Sequence, residues 1–142
     1  MNLALSLLCA AERHPQAEAL PGITYAELRA RAARIAGGLG LEPGERLATV
    51  LDNRVETALL YWAAQWSGAV FVPLSWRASQ ADLDYCIEDC GARIVIREDS
   101  PLPDGPEHPG AFDVDEREPS LMLYTSGTTG RPKGVPRSHA AD

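Results

Sequence analysis

Cysteine is scarce in this chain, and Cys9, Cys86 and Cys90 form an odd set without metal-ligand or redox spacing. That argues against a disulfide framework, and because His14, His108 and His139 stand apart from any partner at zinc spacing, against a structural zinc site as well. Cys86 and Cys90, four apart on an expected helix, read as buried reduced thiols. Basic residues are also few. Thirteen Lys and Arg against twenty Asp and Glu leave a formal net charge of -7, with no basic stripe suited to a nucleic-acid backbone. The apolar run from Leu3 to Ala11 lacks a basic flank, and Glu12, Arg13 and His14 follow it at once. It is expected to be a docking helix rather than a secretory leader or membrane span, which makes the cytoplasm the expected compartment. No internal repeat or low-complexity tract is visible.

What is present is the balance of a globular domain: 142 residues, 45% apolar and 23% charged. Thr24-Tyr25-Ala26-Glu27 is a capping box, after which Tyr25, Leu28, Ala32, Ile35 and Leu39 recur at helical spacing, with Gly37-Gly38 expected to break the turn. Past the Pro43-Gly44 turn, Leu47–Leu51 is short, continuous and apolar, as a buried strand is. Val55, Leu59, Trp62 and Trp66 then mark a second helix, Gly68 its stop, and Ala69–Leu74 the next strand. The cycle repeats with Ser79 as N-cap, Leu83, Cys86, Ile87 and Cys90 as the stripe, Gly91 as the stop and Arg93–Ile96 as strand. Strands alternating with helices predict an α/β fold: an open, largely parallel sheet flanked by helices.

From Glu98 to Pro119 the pattern lapses into a surface loop rich in proline and acid, whose Asp113-Val114-Asp115-Glu116 cluster lacks the glycine and terminal glutamate of a calcium loop. Leu121–Tyr124 restores a buried strand. Directly after it, residues 124–135 read Tyr-Thr-Ser-Gly-Thr-Thr-Gly-Arg-Pro-Lys-Gly-Val. Thr125, Ser126, Thr128 and Thr129 offer hydroxyls, Gly127 and Gly130 admit close approach of an anion, and Lys133 supplies a compact positive charge. This composition suits a polyphosphate, and the carboxyl end of a parallel strand is where open α/β sheets place ligands.

The Walker loop does not fit, because Pro132 precedes the lysine and Gly134 follows it. Nor does the dinucleotide fingerprint, since the glycines at 127, 130 and 134 are three and four apart. The string does closely resemble the phosphate-binding signature of the adenylate-forming, AMP-binding superfamily, which includes acyl-CoA synthetases, aryl-CoA ligases, luciferases and peptide-synthetase adenylation domains. Nine of the ten positions from Thr125 to Gly134 carry the expected type, and Arg131 occupies the one that varies. Similarity extends upstream through Thr24–Leu28, Gly44–Ala48 and Gly68–Leu74. Ser75-Trp76 departs from the usual Asn-Pro, with packing the expected role for Trp76, whereas Arg77 stands where an arginine is common. Ser138-His139 is similar to the start of the helix that follows the loop in relatives, and His139 is given no catalytic role.

The resemblance implies two half-reactions. A carboxylate attacks the α-phosphorus of ATP to give an acyl-adenylate and pyrophosphate, and a thiol, commonly coenzyme A, then takes the acyl group, with Mg2+ accompanying the nucleotide. It implies cofactor binding by Thr125, Ser126, Gly127, Thr128, Thr129, Gly130 and Lys133, no metal ligand, and no catalytic residue within these 142. It further implies that residues 1–142 form a partial N-terminal adenylation domain that does not turn over alone, the remainder of a parent chain being its missing partner. Fatty, aryl and amino acids stay open as substrates. The alternative is a stand-alone nucleotide-binding or interaction module without catalysis.

Overall fold

The computed structural model describes residues 1–125 and 130–141. Helix α1 spans Leu3–Arg13, followed by a small antiparallel hairpin of β1 (Glu18–Leu20) and β2 (Ile23–Thr24) and then by α2 (Tyr25–Leu39). The main alternation is β3 (Arg46–Val50), α3 (Val55–Ser67), β4 (Val70–Leu74), α4 (Gln80–Cys90) and β5 (Ile94–Arg97). Strands β6 (Pro119–Thr125) and β7 (Lys133–Ser138) follow, with a 3-10 turn at His139–Ala141. The five-stranded sheet has the order β5-β3-β4-β6-β7, parallel except for β7, which returns antiparallel along β6 at the edge.

The strands at the centre, β3 and β4, are mostly apolar because both faces are covered. Leu47 and Phe71 face the layer of α1, α2 and α3, where they meet Leu28, Leu59 and Leu60. Ala48, Val70 and Val72 face α4 through Leu83, Cys86 and Cys90. Leu47, Leu59 and Leu60 are fully buried, and burial on this scale stabilises by about 1.5–3 kcal/mol per side chain. Two of the expected caps form as read: Thr24 Oγ1 accepts from Glu27 N–H at 3.2 Å and Ser79 Oγ accepts from Asp82 N–H at 3.2 Å. Trp66 is a core anchor, whereas Trp62 is half-buried and Val55, at the start of α3, is exposed.

The residues between β5 and β6 contain no helix or strand, yet they are pinned at several points. Trp66 Nε1 donates to the His108 carbonyl at 2.7 Å, and Asn2 Nδ2 lies within 2.9 to 3.2 Å of the carbonyls of Ala111, Phe112 and Val114. Gln65, wholly buried in α3, donates to the Ser120 carbonyl at 3.1 Å and so ties that helix to the start of β6. The acidic cluster is engaged too, Asp115 with Arg117 and Glu116 with the Met1 amine.

Two expectations about chain ends are corrected. Helix α2 does not break at Gly37-Gly38; it runs to Leu39 and closes at Gly40, in left-handed conformation at φ 63°. The glycine pair instead admits another stretch of backbone, because a Cβ on Gly37 would lie 1.7 Å from the Pro106 carbonyl oxygen and one on Gly38 2.5 Å from Asp104 N. The helix start expected at Ser138-His139 falls one residue later: Ser138 ends β7, paired to Pro119 of β6, and a 3-10 turn begins at His139.

At an open helical position Gly→Ala stabilises by about 1 kcal/mol. Gly37→Ala is expected to reverse that sign and cost about 1–3 kcal/mol, as overpacking against immovable backbone does. A urea melt of the variant beside the parent chain reads the difference, and a gain in stability would contradict the close approach.

Candidate functional site

The parallel strands β3, β4 and β6 end at one edge of the sheet, where β6 closes at Thr125. Thr125, the last residue of β6, pairs in register with Lys133, the first of β7, so the hydroxyl-bearing and cationic ends of the motif stand opposite one another, both exposed. Gly130 has φ 123°, a conformation that side chains rarely adopt, and open space surrounds its missing Cβ. Backbone shape rather than crowding therefore requires glycine there. The structure thus brings Thr125 and Lys133 together, with Gly130 three residues before the lysine; Ser126, Gly127, Thr128 and Thr129 lie outside the described residues.

Beside the motif is a cavity of about 350 Å³ between the ends of β4 and β6 and the first turns of α4, lined by Leu74, Arg77, Asp82, Cys86, Tyr124 and Pro132 among others. Burial pushes the Cys86 thiol above its ordinary pKa, and the nearby Asp82 carboxylate adds to that, so this sulfur is held as the unreactive thiol. Among the described residues no group of three or more His, Cys, Asp or Glu could hold a metal ion, and no helix is long and apolar enough to cross a membrane.

The expectation of a packing role for Trp76 is overturned. Its indole is 55% exposed, and the Arg77 guanidinium lies over the ring at 4.9 Å from the centroid. His139 is buried and accepts the Leu3 N–H at Nδ1, 3.2 Å away, which gives it a structural task at the start of α1.

A contact that the sequence did not announce lies on α4. The Tyr124 hydroxyl donates to Asp89 Oδ2 at 2.7 Å, and the Arg131 guanidinium sits 4.9 Å from the centre of the Tyr85 ring. Tyr85 and Asp89 are four residues apart and so share a face of the helix. That spacing is readable in the sequence, but nothing in it tells which strand the face meets. Tyr124 itself lies across its register partner Gly134, where a Cβ would come within 3.0 Å of Cζ and 3.2 Å of the phenol oxygen.

With this geometry in hand, the chain can be set beside known proteins. A family model described as "AMP-binding enzyme" matches residues 9–141. The chain belongs to this family. It is 35% identical to a feruloyl-CoA synthase of Amycolatopsis sp over 82% of its own length and 28% of the relative's. It is 32% identical to the long-chain-fatty-acid–CoA ligase FadD13 of Mycobacterium tuberculosis, over 82% of this chain and 30% of that one. Among solved structures, the inhibitor-bound N-terminal domain of FACL13 from M. tuberculosis superposes with a TM-score of 0.82 at 28% identity, covering 97% of this chain and 44% of that domain. This AMP-binding chain therefore spans less than a third of the curated relatives it matches. It has the α/β architecture and the largely parallel sheet expected of an adenylate-forming enzyme.

Burial raises the Tyr124 pKa above that of an ordinary phenol, and its hydrogen bond to Asp89 adds to the shift. Unfolded, the phenol loses its proton near pH 10; folded, it holds that proton to higher pH. Above about pH 10 the folded state thus binds more protons than the unfolded one, so this contribution is complete below that pH and declines as pH rises through the folded value. Tyr124→Phe is expected to flatten the alkaline fall in melting temperature and to remove a late-titrating phenol from an ultraviolet titration.

Proposed function

We propose that residues 124–135 form the triphosphate-binding loop of an ATP-dependent carboxylate-activating ligase. The observation that carries the reading is the register pair of Thr125 and Lys133 at the carboxyl edge of a parallel sheet, flanking a motif of AMP-binding type. In the first half-reaction a substrate carboxylate oxygen bonds to the α-phosphorus of ATP, and the bond from that phosphorus to the bridging oxygen breaks. Pyrophosphate leaves with the electron pair, and an acyl-adenylate remains. A thiol then displaces AMP from the acyl carbon and gives up its proton; coenzyme A is the proposed acceptor, in keeping with the names of the two curated relatives.

The chemistry needs little from this loop beyond directed charge. Negative charge grows on the departing pyrophosphate, and the Lys133 ammonium, with the hydroxyls of Thr125, Ser126, Thr128 and Thr129, would stabilise it as it forms. Gly127 and Gly130 would let backbone amides approach the phosphates, and Pro132 would stiffen the approach of the lysine. Exposed Thr125 and Lys133 facing one another, with Gly130 between them in a glycine-only conformation, fit a polyanionic tail. Magnesium would accompany the nucleotide in this reading and add positive charge beside its phosphates.

Lys133→Ala, made in the full chain that carries these residues, is expected to slow carboxylate-dependent ATP–pyrophosphate exchange by ~10²-fold, the scale for losing one preorganised charge partner. Exchange at the parent rate would remove Lys133 from the mechanism. ATP binding without any exchange, across aryl and fatty acids, would favour a nucleotide-binding module instead.

A further inference from the structure

We propose that α4 clamps both arms of the loop, with Tyr85 and Asp89 acting as positioning residues that fix where the nucleotide's phosphate tail is held. Two separate contacts make the clamp. On the arm entering the loop, the Tyr124 hydroxyl donates to Asp89 Oδ2 at 2.7 Å, one residue before Thr125. On the arm leaving it, the Arg131 guanidinium lies 4.9 Å from the Tyr85 ring centre, two residues before Lys133. Because Tyr85 and Asp89 are one helical turn apart on a helix whose other stripe is sunk in the core through Leu83, Cys86 and Cys90, both anchors are set by the same rigid body. Tyr85, Glu88, Asp89 and Arg131 enclose a polar recess on this side.

Among the described residues β7 pairs with β6, so the strand that begins at Lys133 takes its placement from β6 and from what β6 itself is tied to. The bare Gly134 lets the Tyr124 ring cross β7 and reach Asp89, since any Cβ at 134 would press on the phenol.

This inference rests on the proposed ATP reading, and the test separates the two. In the full chain, Tyr85→Leu, Tyr124→Phe and their combination are compared by hydrogen exchange at the amides of residues 130–135 and by kinetics with ATP varied. The double variant should exchange about tenfold faster at these amides and not in the core of α3. Each single change should raise KM for ATP by about two- to fivefold, the scale of an exposed cation–π contact or surface hydrogen bond, with KM for the carboxylate unmoved. Asp89→Asn, whose amide oxygen still accepts from the phenol, should stay near the parent while Asp89→Ala should not. Unchanged exchange at 130–135 in the double variant overturns the clamp. Faster exchange with KM for ATP unaltered overturns its role in placing the nucleotide, and a fall in kcat alone does the same, because that is what general destabilisation gives. Failure of the unchanged protein to bind ATP would count against the ligase reading, and the exchange arm would still decide whether the clamp exists.

Discussion

Everything in this fold follows from the need to cover β3 and β4 on both faces. Leu47 and Phe71 point to one helical layer and Ala48, Val70 and Val72 to the other, and all five are nearly or wholly inaccessible to water. Strands buried on both sides are paired in parallel through helical crossovers, and parallel pairing gathers their carboxyl ends along one edge. The glycine motif inherits its position from that constraint. It needs only to follow the next strand in the series, and β6 is held there by its ladder with β4 and by the buried amide of Gln65.

Much of this was legible in the sequence because it is encoded locally. Apolar spacing located α1 to α4, short apolar runs located β3 to β6, and hydroxyl caps at Thr24 and Ser79 marked two helix starts. What could not be read depends on partners remote in the chain. Gly37-Gly38 looked like a helix stop and is a docking notch for residues 104–106; Trp76 was given a packing role and is more than half exposed; residues 133–135 read as the end of the loop but pair with β6 as a strand. In each case tertiary contact overrode local propensity.

The candidate site divides in the same way. Its ionic and hydroxyl groups announce themselves in twelve consecutive residues, and their spacing rejects the commoner nucleotide loops without any coordinates. The residues that steady those groups do not announce themselves. Tyr85 and Asp89 lie some forty positions upstream on a helix whose exposed face has no distinctive composition, and only the fold brings them beside the two arms.

The bond from Leu3 N–H to His139 Nδ1 joins positions 136 apart, and Asn2 binds carbonyls more than a hundred residues away. The first residues of the polypeptide are therefore a late piece of the assembly, unable to dock until nearly the whole segment has been synthesised and β7 has formed. Acylating or extending the Met1 amine would remove its ion pair with Glu116, in the segment that leads into β6. A fusion at that terminus would thus act on residues more than a hundred positions away.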